Sequence, residues 1–219
     1  MVSLVQLACK ASSEELQTGL GTSRAFGGKQ YAFNILRASE LSVPLRQKIW
    51  ALFEENMHGY TSSTTFEWNP PSKKKELFHR NSRYLCVSSQ GVGESEERVL
   101  VAFTMFRFDW EDTTEEKVYQ EVLYLYELQV SQGYRKLGLG RVLIRDLEAI
   151  GIRWQMKKIM LTVLKANQGA ILFYDKMGFN LDPISPDFVD PTSTGNNEEE
   201  EWVDEDEDCD YKILSKVLR

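Results

Sequence analysis

Between Tyr134 and Arg141 the chain gathers three basic side chains, Arg135, Lys136 and Arg141, into one turn with two glycines, Gly138 and Gly140. The turn falls where a β-rich run gives way to a helical pattern. Backbone N–H groups at a helix N-terminus and the positive end of the helix dipole converge there, an arrangement that suits a phosphate. Glycine lets such a backbone bend sharply and come close to a ligand. Two familiar phosphate loops do not match. A P-loop needs Gly-Lys-Ser/Thr, whereas Arg141-Val142 follows Gly140. A dinucleotide turn needs a small residue at position 143, which is leucine, and an acid after the next strand. An ordinary glycine-rich connection stays open as the alternative.

A second chemical signal is Glu127, the only acid in the apolar stretch Val122 to Val130. Burial among such neighbours strengthens a carboxylate as a base, and a base within reach takes a proton directly or through one water. The competing reading has Glu127 pointing outward on an edge strand.

The elements that must position these groups follow from periodicity. Tyr31 to Ala38 alternates as a first strand. Ser42 caps a helix running to about Tyr60, with Pro44 in its first turn and Leu45, Ile49, Leu52 and Phe53 as its buried stripe. Lys73 to Arg80 forms a short basic helix, read as an exposed face. Arg83 to Ser89 and Arg98 to Asp109 pair as a hairpin around Gln90 to Gly93. Glu116 to Val130 is the longest strand, and Leu139 to Met156 a helix with Val142, Leu143, Leu147 and Ile150 inward. Lys158 to Leu164 is a strand, Gln168 to Met177 a helix, and Cys209 to Val217 a last strand. The order predicts one α/β domain on a mixed sheet, preceded by a polar N-terminal segment, residues 1–30, with a short helix near Ser12 to Thr18. The domain proper is 31–219, interrupted by a loop over 182–208.

Composition narrows the class. A chain of 219 residues with 42 % hydrophobic residues has ample material for a core. The formal charge of −7 is local, because nine carboxylates lie between Glu198 and Asp208. Without them 26 basic residues face 24 acidic ones. Such a run is either a solvated loop or a device that steers a basic partner. Three scattered cysteines and two histidines suggest a reducing compartment and no zinc site. No leader pattern and no long apolar span are evident. The expectation is a soluble monomer of the cytoplasm and nucleus, without nucleic acid, membrane or metal.

Arg135-x-x-Gly138-x-Gly140 resembles the Arg/Gln-x-x-Gly-x-Gly/Ala signature of the GNAT acetyltransferase superfamily. Downstream, Asn167-x-x-Ala170-x-x-x-Tyr174 resembles the helix start that follows the next strand in those enzymes. The resemblance implies a single GNAT-type domain: a mixed, mostly antiparallel sheet of about seven strands flanked by helices. It implies acetyl-CoA as donor, held by the strand end Leu128, Gln129 and Val130, the turn Arg135, Lys136, Leu137, Gly138, Leu139, Gly140 and Arg141, and by Thr162 and Asn167. Asn167 also reads as a plain helix cap, and Tyr174 as a core aromatic.

Further segments, Phe106-Arg107-Phe108-Asp109, Tyr124 to Gln129, Lys157 to Val163 and Cys209 to Leu214, are similar to the NatD family of N-terminal acetyltransferases. That resemblance implies transfer to the free α-amine of histone four and histone two-A, which begin Ser-Gly-Arg-Gly. Glu127 then matches the family's acid/base, with Tyr126 and Tyr174 as candidate donors to the leaving thiolate. Asp109 and Glu111 match positions that bind the substrate arginine, and a carboxylate pair suits a guanidinium fork. Tyr60, Tyr124, Tyr126 and Tyr211 match the peptide groove, with Phe66 or Trp68 as a further aromatic. A lysine or small-amine acetyltransferase, and a catalytically silent histone-binding protein, remain as alternatives.

Overall fold

Ser3 and Ser12 open the chain with two capping boxes, each serine accepting from the backbone N–H three residues on while Gln6 or Glu15 reaches back. They start helices α1 (Leu4–Lys10) and α2 (Ser13–Gln17). The computed structural model describes residues 3–61, 68–89, 98–115, 117–189 and 209–219. The expected turn Gln90 to Gly93, Phe66 and the acidic run Glu198 to Asp208 lie outside the described residues.

The remaining elements are β1 (Ser23–Phe26), β2 (Lys29–Arg37), α3 (Val43–Thr61), α4 (Pro70–Leu77), β3 (Arg83–Ser89), β4 (Val99–Asp112), β5 (Tyr119–Val130), α5 (Leu139–Arg153), β6 (Lys158–Leu164), α6 (Gln168–Lys176), β7 (Asn180–Leu181) and β8 (Tyr211–Val217). They form one eight-stranded sheet in the order β1-β2-β3-β4-β5-β6-β8-β7. Every pairing is antiparallel except β5 with β6. The mixed, mostly antiparallel α/β sheet is therefore present, with β1 and β7 completing eight strands. Both are too short to leave an alternation in the sequence.

Two apolar layers cover the sheet. Val5, Ala8 and Leu16 from the first two helices pack with Leu143, Leu147 and Ile150 of α5 and Tyr174 of α6 on one face. Ile49, Leu52 and Phe53 of α3 and Leu77 of α4 pack with Tyr84, Phe103 and Met105 on the other. Ser42 does cap α3, accepting from the Leu45 N–H at 3.4 Å.

The N-terminal segment differs from its expected polar character. It holds two helices and a strand, and its apolar residues are inside: Val5 and Leu16 are buried, and Arg153 of α5 donates to the Leu16 and Thr18 carbonyls. Seven- and five-residue helices are too short for a periodicity to stand out. Leu16→Ala is predicted to destabilise the fold by about 3 kcal/mol, the cost of a cavity at a fully buried leucine. Urea denaturation checks this, and a midpoint like that of the parent would show the segment to be dispensable.

Candidate active site

An extra residue in β5 sets the geometry. Met105 of β4 faces Glu127, and the next residue, Phe106, faces Leu125, so Tyr126 opposes nothing. This is a β-bulge, and two successive side chains then leave a strand on the same side. Leu123 and Leu125 enter the α5 layer, while Tyr126 packs against the α3–α4 layer. Glu127, level with Met105, lies on that second face too and is 6 % exposed. The outward-facing reading of Glu127 is not what the structure shows.

Beyond the bulge, β5 and β6 part. They are paired only over Val122 to Tyr124 and Lys158 to Met160, although β5 continues to Val130 and β6 to Leu164. From there β5 pairs as a strand with β4, and β6 with β8. A wedge opens between two parallel strands, lined on one side by the edge of β5 over Leu125 to Gln129, which pairs with no strand there among the described residues. Tyr124 spans its narrow end, its hydroxyl 2.6 Å from Thr162 Oγ1.

Glu127 has both oxygens engaged. Oε1 lies 2.7 Å from Lys73 Nζ, and Oε2 accepts from Gln129 Nε2 at 2.7 Å. Lys73 also meets Glu76 one turn along α4. Gln129 Oε1 accepts from Asn56 Nδ2 at 3.0 Å, and Asn56 Oδ1 accepts from Arg135 at 2.6 Å. Arg135 and Asn56 both donate to the Val130 carbonyl, at 3.2 Å each. One polar chain thus runs from the basic turn to the buried carboxylate. Burial works against the charge on Lys73, but the Glu127 and Glu76 carboxylates outweigh it and hold the ammonium above the ordinary lysine range.

Around Glu127 stand aromatic and acidic side chains. The rings of Tyr124 and Tyr126 are 4.9 Å apart, and the Arg107 guanidinium lies 4.2 Å over Tyr126. Burial pushes the Tyr124 hydroxyl up to about 12 and raises that of Tyr126. Tyr174 is buried in α6, its hydroxyl also raised by burial and then by the Glu127 charge. Asp109 and Glu111 alternate with inward Phe108, which places them with Arg107 on the Tyr126 face. Burial, then the neighbouring Asp112 and Asp109, raise Glu111 above the usual carboxylate range. Tyr211 opens β8 opposite Leu164, and Tyr60 sits one turn beyond Asn56 in α3.

The turn holds its shape through backbone conformation. Gly138 caps α5 with φ of 90° and no side-chain cap, a conformation only glycine adopts freely. Gly140 also has a packing role. A methyl group there would come within 3.2 Å of the Phe173 ring, so its small size lets α5 pack on α6. Lys136, Leu137 and Arg141 are exposed, whereas Leu139 is buried and offers only its backbone. Asn167 caps α6, its Oδ1 accepting from the Ala170 N–H at 3.2 Å.

Glu127, Gln129, Tyr124, Tyr126 and Thr162 are brought together. Leu128 approaches Gly140, and Asn167 caps α6 through its Oδ1. Three participants escaped the reading of the sequence: Lys73, Glu76 and Asn56. Lys73 is not part of an exposed basic face. It lies four residues before the buried Leu77, and Asn56 extends the stripe of Ile49, Leu52 and Phe53, so helical spacing carried both signals. Trp68 stacks on Phe53 at 6.0 Å and packs between α3 and α4. Among the described residues no group of three metal-ligating side chains gathers.

The family model described as the acetyltransferase (GNAT) family matches residues 47–179. N-alpha-acetyltransferase 40 of Saccharomyces cerevisiae is 31 % identical over 133 residues, covering 55 % of this chain and 44 % of that protein. Spermidine/spermine N(1)-acetyltransferase-like protein 1 of Homo sapiens is 28 % identical over 107 residues, covering 48 % of this chain and 14 % of that protein. The chain therefore spans less than half the length of these two relatives. The crystal structure of Arabidopsis thaliana NAA60 in complex with a bisubstrate analogue superposes with a TM-score of 0.53 at 12 % identity, covering 86 % of this chain and 99 % of that one, a likeness of fold. With the wedge, the basic turn and a family match spanning both, the chain belongs to the GNAT acetyltransferase family.

Proposed function

We propose that this protein is an acetyl-CoA-dependent N-terminal acetyltransferase of the NatD type, acting on histone tails that begin Ser-Gly-Arg-Gly. The observation that carries the reading is the buried Glu127 carboxylate, held beside an open wedge whose end leads into the basic turn. Similarity to the yeast N-alpha-acetyltransferase 40 supports the choice of an α-amine.

The residues present fit acetyl-CoA. The edge of Leu125 to Gln129 offers backbone groups to an amide-bearing arm, and the N-terminus of α5, which has no side-chain cap, suits a pyrophosphate together with Lys136 and Arg141. When bound, the donor supplies an acyl carbon that a neutral amine attacks with release of the thiol.

An α-ammonium has a pKa of about 7.7–8.0, so near neutral pH it must lose a proton before it can attack. Glu127 takes that proton and passes it to solvent. Asp109 and Glu111 hold the substrate arginine, placing the amine by a contact remote from the reaction. Tyr124, Tyr126, Tyr60 and Tyr211 wall the peptide path. Tyr126 and Tyr174, both kept protonated by burial, can return a proton to the departing sulfur.

Two outcomes are expected. Acetyl transfer to a free Ser-Gly-Arg-Gly-Lys peptide proceeds, its N-terminally blocked form is inert, and Glu127→Gln lowers kcat by about a hundredfold or more. Equal modification of the blocked peptide would instead identify a lysine acetyltransferase, and donor binding with no transfer to either peptide would identify a binding protein. The second concerns the arginine contact. Asp109→Asn with Glu111→Gln raises KM by about tenfold for the Arg peptide and leaves an Arg-to-Ala peptide unchanged. Because Glu111 binds arginine as an anion and its pKa is raised, the preference for arginine fades on acidification at a higher pH than an ordinary carboxylate allows. The ratio of KM values for the two peptides, followed down to about pH 5, measures it.

A further inference from the structure

We propose that Lys73 is a positioning residue for Glu127, reaching in from α4 to fix the carboxylate on β5 and to set how firmly it holds a proton. The inference rests on Glu127 being the base in the function proposed above.

Lys73 is placed as an internal counter-ion. It lies on the face of α4 that carries the buried Leu77, and its ammonium is 5.2 Å from the centre of the Phe53 ring. Its neighbour Lys74 instead stacks on Trp50 at 4.3 Å with its side chain exposed. The two oxygens of Glu127 are divided between partners, Lys73 on Oε1 and the Gln129 amide on Oε2, each at 2.7 Å. A carboxylate bonded at both ends cannot turn about its last torsion without losing one partner.

The charges that face Glu127 come from every element around it. Lys73 of α4 touches it and is shared with Glu76, Tyr84 of β3 and Tyr174 of α6 feel its charge, and Arg107 and Asp109 of β4 act on the neighbouring Tyr126 of β5. The tyrosines are uncharged at neutral pH, burial having raised all three. Arg107 is turned to the Tyr126 ring and to the Glu76 carbonyl, which leaves Lys73 as the cation in contact with the carboxylate among the described residues. One ammonium between two carboxylates leaves a net negative charge. That excess favours an incoming α-ammonium, while Lys73 keeps the Glu127 carboxylate aimed when no substrate is present.

The test compares wild type, Lys73→Met, Lys73→Arg and Lys74→Met. The pH profile of kcat/KM on the Ser-Gly-Arg-Gly-Lys peptide is recorded beside an NMR titration of carboxyl-labelled glutamate, with Glu127 assigned by its loss in Glu127→Gln. Lys73→Met, which keeps the stem over Phe53, is expected to move both the acidic limb and the Glu127 midpoint upward by about one pH unit or more. Activity on the acidic side then falls about tenfold and recovers as the pH rises. Lys73→Arg restores both readouts, and Lys74→Met matches wild type. An equal loss at every pH with an unmoved Glu127 midpoint would reduce Lys73 to a structural residue and overturn the proposal. If the wild type acetylates no peptide, the functional reading fails separately, and the Glu127 midpoint alone decides whether Lys73 tunes the carboxylate.

Discussion

A strand with one residue too many has to put two neighbours on the same face, and most of the site follows from that constraint in β5. Without the bulge at Tyr126, alternation would carry Glu127 to the α5 layer, among leucines and with no cation. With it, the carboxylate meets α4, where Lys73 and Glu76 wait, and Gln129, two residues on, points the same way. The bulge lies just past Tyr124, the last β5 residue paired to β6, so the turned carboxylate and the parting of the strands occur at one level of the sheet.

The wedge and the carboxylate are also joined chemically. Arg135 leaves the basic turn to bond Asn56 and the Val130 carbonyl, and Asn56 passes the link through Gln129 to Glu127. Each member fills the bonding capacity of the next, which is what a partly buried polar chain requires if it is not to destabilise the fold. Asn56 stands at the centre because α3 lies across the end of β5. Its stripe of Ile49, Leu52 and Phe53 fixes the rotation of the helix, and the polar residue one turn later is delivered to the strand end.

How much of this was readable without coordinates depended on the range of the interaction. Lys158 to Leu164 and the start of α5 at Leu139 follow from local alternation and a glycine turn, and they lie where the spacing placed them. Gly138 was legible as a bend because a positive φ is a local demand. The packing contact at Gly140 was not, since Phe173 reaches it from another helix. The bulge leaves no mark in a run as uniformly apolar as Val122 to Leu128, because register belongs to a pair of strands. Lys73 was misread for a related reason. Three adjacent lysines suggest a solvated face, yet a helix turns each of them about 100° from the last, and the first shares its side with Leu77.

The ion pair also bears on which amine the site suits. Both oxygens of Glu127 already carry a partner, Lys73 on one and Gln129 on the other, so a proton arriving from substrate meets an ammonium in contact. In the proposed reaction the amine must shed a proton first, and an α-ammonium, whose pKa is within about one unit of neutrality, does so at small cost near neutral pH. A lysine side chain, with a pKa of about 10.4, adds roughly 3 kcal/mol to that step. In the function proposed, acidity would thus separate an α-amine from a lysine, and Asp109 and Glu111 would read the sequence at the far end of the same face. On that proposal, selection for a free N-terminus near an arginine would need no pocket for the first side chain, only a base in reach of the amine and an anchor far enough away.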